Sequence, residues 1–141
     1  MKIVLSYPTQ LFDVPILASM ILEKKVLINI LRAYVDGRRG EMLVEVPDDV
    51  ADEVVERFRN KGIKVHVGSL IELDKELCVD CGACVSICPT SAIHFEEDLS
   101  VTINQSKCIQ CALCVNSCPR FAIKLMQVGG IFHSILFEES T

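Results

Sequence analysis

Along the first half of the chain the apolar positions switch between a strand period and a helical period. Lys2–Tyr7 (Lys-Ile-Val-Leu-Ser-Tyr) is a β-rich run closed by Pro8, whose fixed φ and missing N–H end a strand. Residues 13–25 read as a helix, with Asp13 near the cap and Pro15 in the first turn, where its absent donor does no harm. A second β-rich run covers 26–35. The turn Asp36-Gly37-Arg38-Arg39-Gly40 returns the chain as a strand over 41–46, a hairpin with a longer loop. Pro47-Asp48-Asp49 opens a second helix whose Val50, Val54 and Phe58 share one face, and Asn60-Lys61-Gly62 closes it before a last strand over 63–67. The order βαββαβ predicts an α+β unit: a four-stranded antiparallel sheet with two helices on one face. The opposite face is left without a helix, which makes Ile28, Ile30, Leu43 and similar residues candidates for dimerisation or for packing on the cluster domain.

From about residue 74 the pattern repeats itself instead. There are no cysteines before this point and eight after it, in two copies thirty positions apart. The first is Cys78-x-x-Cys81-x-x-Cys84-x-x-x-Cys88-Pro89 and the second Cys108-x-x-Cys111-x-x-Cys114-x-x-x-Cys118-Pro119. Val85 matches Val115, Ala92 matches Ala122 and Ile93 matches Ile123. Each copy predicts a ligating loop, a short helical turn after Cys84 or Cys114, and a strand-like segment at Ile93–Phe95 or Ile123–Leu125. The expected division is 1–73, 74–127, and a C-terminal segment 128–141 too apolar for a free tail, expected to be a strand or docking segment.

Three cysteines at intervals of three, then a fourth after four and a proline, is the bacterial-type spacing for 4Fe–4S ligation. A loop of that spacing wraps one cubane and presents three thiolates to three of its corners. Zinc sites also use Cys-x-x-Cys pairs, but not this staggered triplet, and disulfide frameworks belong to small secreted chains. Gly82 gives the first loop free backbone where Ala112 stands in the second. Over 74–127 the chain resembles the bacterial two-cluster ferredoxins. The resemblance implies two 4Fe–4S clusters with crossed ligation: Cys78, Cys81, Cys84 and Cys118 on one, Cys108, Cys111, Cys114 and Cys88 on the other.

Charge and hydropathy narrow the setting. The longest apolar stretch, from Val14 to Leu22, ends at Glu23-Lys24-Lys25 and is far too short for a span, and no secretory signal is read at the N-terminus. Reduced thiols then place the chain in the cytoplasm, and low-potential clusters favour an anaerobic host. Of the formal net charge of −5, residues 1–73 carry −1 (ten basic, eleven acidic) and 74–141 carry −4 (four basic, eight acidic). An acidic cluster half disfavours nucleic acid and anionic lipid and steers toward basic protein surfaces.

Asn29-Ile30-Leu31 falls in the second strand, after a helix and before a hairpin, and with the βαββαβ order resembles the NIL domain, a ferredoxin-like sandwich. Fused to a two-cluster ferredoxin, the whole resembles a small family of methanogens and some anaerobic bacteria. That resemblance implies an electron-transfer protein supplying reducing equivalents for sulfur incorporation into homocysteine, a methionine precursor, beside a larger partner enzyme. The alternative is a ferredoxin for other oxidoreductases whose NIL domain binds or senses a sulfur amino acid, with Met20 and Met42 as candidate thioether contacts. Catalysis by the chain itself is not expected. All eight cysteines are assigned, so no thiol remains for a persulfide, and His66, His94 and His133 are scattered.

Overall fold

In a computed structural model that describes residues 1–38, 40–68 and 70–126, the chain divides into two units, Met1–Gly68 and 70–126. The first contains β1 (Lys2–Tyr7), α1 (Ile16–Lys24), β2 (Asn29–Val35), β3 (Gly40–Glu45), α2 (Ala51–Asn60) and β4 (Lys64–Val67). Its sheet runs β2-β3-β1-β4 with every neighbour antiparallel, as the split βαβ order requires. Ile3, Leu5 and Tyr7 point from β1 to the helix side, where they meet Val44, Ile16, Met20, Val54 and Phe58 in the core. The alternate residues Val4 and Leu43, which are register partners, are fully buried on the other face.

Helices α1 and α2 and strands β2 and β4 start later than their sequence signals, while β1 starts as expected and β3 one residue early. A 3₁₀ turn at Thr9–Leu11 precedes α1, and Pro15 caps that helix from outside its first turn, so Asp13 makes no cap. Lys25 turns left-handed (φ 52°), which stops α1 and leaves 26–28 as a connector to β2. Helix α2 carries Asp52 and Glu53 in its first turn and Arg57 and Arg59 in its last, matching the helix dipole at both ends. Gly62, at φ +86°, then takes the left-handed position that ends it. The register of β2 on β3 shifts between Ile30 and Arg32, so Leu31 is the extra residue of a bulge. The bulge corrects the expected surface. Ile30 pairs with Val44 on the helix side and Ile28 packs on the helix-side core, leaving Leu43 alone of the three on the opposite face.

In the second unit β5 (Ile71–Leu73) pairs with β8 (Ile123–Leu125), and β6 (Ile93–Phe95) with β7 (Val101–Ile103), both antiparallel. Helices α3 (Ala83–Ile87) and α4 (Leu113–Ser117) begin one residue before the third cysteine of each repeat, so they contain Cys84 and Cys114 rather than following them. Because β5 pairs with β8, residues 71–73 belong with the cysteine repeats, and the expected division after Leu73 falls before Leu70. The repeats are related by an approximate two-fold: the Asp74 N–H donates to the Ala122 carbonyl, and the equivalent Asn104 N–H to the Ala92 carbonyl, each at 2.7 Å. The expected segment 128–141 lies outside the described residues. Among the described residues no helix is long and apolar enough to cross a membrane.

Candidate iron–sulfur site

The two ligating loops are built alike. Before the first, the Asp74 carboxylate accepts from the N–H groups of Glu76 and Leu77 at 3.0 and 3.3 Å; before the second, the Asn104 amide oxygen accepts from the Ser106 N–H at 3.0 Å. The backbone then turns left-handed at three matched pairs: Asp80 and Gln110 (φ 52° and 55°), Gly82 and Ala112 (76° and 67°), Ser91 and Phe121 (54° each). A side chain in that region costs about 1–3 kcal/mol and persists only where the surroundings dictate it. Ala112 therefore adopts the conformation of Gly82 despite its Cβ. Gly82 also leaves room for its neighbour, since a Cβ at 82 would stand 2.4 Å from Cζ of the Phe95 ring and the ring would have to move. The position equivalent to Phe95 in the second repeat is Leu125.

Charge effects between the thiols run across the two repeats. Burial pushes the Cys84 thiol up, and charge on Cys118 and Cys78 adds to the shift. Burial likewise pushes Cys114 up to about 12, with Cys108, Cys111 and Cys88 contributing. The fourth cysteine of each repeat thus sits electrostatically with the triplet of the other. Cys88, Cys108, Cys111 and Cys114 all line one cavity, closed by Ile71, Ala92 and Ile93. These thiols must lose their protons to ligate, so uptake of a cluster releases protons. Among the described residues no three His, Cys, Asp or Glu side chains converge as one ion would need; a cubane takes its thiolates at separate corners.

Backbone donors reach the sulfurs. The Gln110 N–H donates to Cys108 Sγ and the Ala122 N–H to Cys118 Sγ, each at 3.3 Å. At Cys88 burial opposes ionisation, but the N–H groups of Ile93, Thr90 and Ala92 and the Thr90 hydroxyl outweigh it, so this thiol lies below its ordinary value. Matched positions differ in exposure: Cys78 is partly exposed where Cys108 is buried, and Cys81 is exposed where Cys111 is partly so, while Cys84 and Cys114 are both buried. Two glutamines escaped the sequence reading. Gln110, 2 % exposed, donates its side-chain amide to the carbonyls of Leu70 and Met126, and the Gln105 amide bonds both the N–H of Leu70 and the carbonyl of Ile71. Nothing in spacing or hydropathy marks either one.

Outside the cysteines, Met20 is fully buried in the core of the first unit, while Met42 lines an apolar cavity of about 380 Å³ with Tyr7, Phe12 and Ile16. The two methionines therefore share no pocket, and no charged side chain among the described residues lines the cavity to receive an amino acid's charged ends. Asn29 sits in a shallow groove with Leu27, Glu45 and Asp48. His94 Nε2 lies 3.8 Å from Glu96 Oε1 in an open setting, His66 is in β4, and His133 lies outside the described residues.

Residues 2–67 match the NIL domain and residues 70–125 the 4Fe-4S dicluster domain. The L-aspartate semialdehyde sulfurtransferase iron-sulfur subunit of Methanosarcina acetivorans is 36% identical over 105 residues, covering 74% of this chain and 81% of that protein. The chain belongs to this family of iron–sulfur subunits. The subunit of the same description from Methanocaldococcus jannaschii is 29% identical over 93 residues, 64% of this chain and 71% of that one. A ferredoxin of Saccharopolyspora erythraea is 44% identical over 32 residues, 23% of this chain and 30% of the ferredoxin. As an iron–sulfur subunit with a dicluster domain, the chain carries two 4Fe–4S clusters on its eight-cysteine region.

Proposed function

We propose that this chain supplies electrons to a sulfurtransferase subunit that incorporates sulfur into L-aspartate semialdehyde on the way to homocysteine. Its likeness to the Methanosarcina subunit, over four-fifths of that protein, carries the reading. Cys78, Cys81, Cys84 and Cys118 hold one cluster, and Cys108, Cys111, Cys114 and Cys88 the other. The charges that raise Cys84 and Cys114 support this division. Once bound, such clusters accept and release electrons one at a time. The chain's own part is to hold the thiolates, to keep water from Cys84, Cys108 and Cys114, and to direct N–H dipoles at Cys108 and Cys118, which eases an added negative charge. No cysteine is left over, so a persulfide or carbon–sulfur adduct must reside on the partner.

Anaerobically purified protein should contain about eight iron and eight sulfide per chain. Cys88→Ser should damage the cluster of the second triplet and Cys118→Ser that of the first; damage confined to each residue's own loop overturns the crossed assignment. Deleting the gene should make a host without another homocysteine route require homocysteine or methionine. Restoration with Cys84→Ala and Cys114→Ala together should fail, and full rescue by that variant would sink the electron-supply role.

A further inference from the structure

The two cluster loops are near copies in backbone, but their surfaces differ in a consistent direction. Asp74, Glu76 and Asp80 in the first repeat are replaced by Asn104, Ser106 and Gln110 in the second, and Leu77 by Lys107. Three acids and one base between 74 and 81 face no acid and one base between 104 and 111. Exposure follows the charge. Cys81 is exposed where Cys111 is only partly so, and Val79 is 59% exposed where Ile109 is largely covered. Gln110 turns inward to the carbonyls of Leu70 and Met126, whereas Asp80 stays at the surface, accepting from the Val101 N–H at 2.8 Å. Past Cys118, whose charge acts on Cys84, stands Phe121 at 77% exposure and φ 54°, where the first repeat has Ser91. The Phe121 N–H donates to the Cys118 carbonyl at 3.3 Å, so the loop fixes the backbone while the ring is left largely in water, which carries a solvation cost.

We infer that electrons pass between this chain and its partner at the cluster held by Cys78, Cys81, Cys84 and Cys118, where Leu77, Val79 and Phe121 make the apolar contact and Glu76 and Asp80 select a partner surface edged with Lys and Arg. This rests on the cysteine assignment proposed above. The negative loop gives encounter and orientation at low ionic strength, the apolar residues give the short-range fit, and the exposed thiolate gives the shortest path for tunnelling. The other cluster is then the inner one. Each passage moves one electron out of the reduced protein into an oxidised acceptor, with no bond made or broken.

Cytochrome c, a basic protein with an exposed haem edge, serves as the probe. The full chain, loaded and reduced with dithionite freed of excess reagent, delivers one electron to each ferric haem. Val79→Ser with Phe121→Ser, and separately the charge reversal Glu76→Lys, should each lower the second-order rate and the binding affinity at low salt by about tenfold. Iron content and the spectra of both reduced centres should remain as in the wild type, and the charge variant's deficit should fade as salt rises. Ile87→Ser with Leu113→Ser, beside the second quartet, should change the rate less than about twofold. Equal losses in that control, or wild-type rates in both first-loop variants, would overturn the inference. The same variants are then titrated with the sulfurtransferase subunit from the same organism. Binding there that ignores the first-loop changes also overturns the inference, while a wild-type protein that donates to cytochrome c by this route but never binds the sulfurtransferase counts against the proposed function alone.

Discussion

Tyr7 puts a hydroxyl into the core of the first unit with no hydrogen-bond partner among the described residues, and burial pushes its phenol up to about 12. Between pH 10 and 12 the folded chain keeps this proton while the unfolded chain releases it. Stability is therefore unaffected below pH 10 and falls through that window, by about 1.4 kcal/mol per unit. Urea midpoints measured across the window should lose this slope in Tyr7→Phe. At neutral pH the variant should be at least as stable, since it removes a desolvated group that gains nothing. Gly82 makes a second test. Gly82→Ala drives a Cβ into the Phe95 ring and should weaken the first loop by about 1 kcal/mol or more, seen as faster iron loss to a chelator. Adding Phe95→Leu, which copies the Ala112 and Leu125 pair of the second repeat, should restore much of it. The eight cysteines were fully legible because their chemistry fixes their spacing. The reason for Gly82 was not, because the clash comes from a ring thirteen positions away.

Among the elements, the β2–β3 hairpin carries the most specific polar contact of the first unit. Arg32 Nη2 and Glu41 Oε1 are 2.7 Å apart across the pair, with side chains 13% and 5% exposed. Glu41→Ala leaves a guanidinium with little access to water and should cost about 3 kcal/mol. Tyrosine fluorescence during urea unfolding checks this, since Tyr7 and Tyr34 are the chain's two tyrosines and both lie in this unit. The strands and helices of the sandwich could be read because each is long enough to show its period. The bulge at Leu31 could not, because one inserted residue leaves the composition of a strand unchanged while turning Arg32 to the face of Leu43. Strands β5 and β7, three residues each, carry too few positions for any alternation to register. Their partners, β8 and β6, were read from the match of Ala92-Ile93 with Ala122-Ile123.

At the scale of the whole molecule the two units are held by different means. The first has a continuous core running from Ile3 to Ile63, while the second relies on a short set of apolar residues such as Ile71, Ile93, Val101 and Ile123 around its thiols. Stripping the iron should therefore release amide protection across 70–126 while 1–68 stays protected, as hydrogen exchange would read directly; equal loss in both would show one cooperative block. The pairing of β5 with β8 sets Ile71 opposite Leu125, and the Met126 N–H donates to the Leu70 carbonyl at 3.0 Å. The cluster unit thus begins and ends at the same spot, like a cassette with adjacent contacts. Such a piece can be grafted into a surface loop of an unrelated host without stretching the host's backbone, and opened at the β6–β7 turn to give new termini.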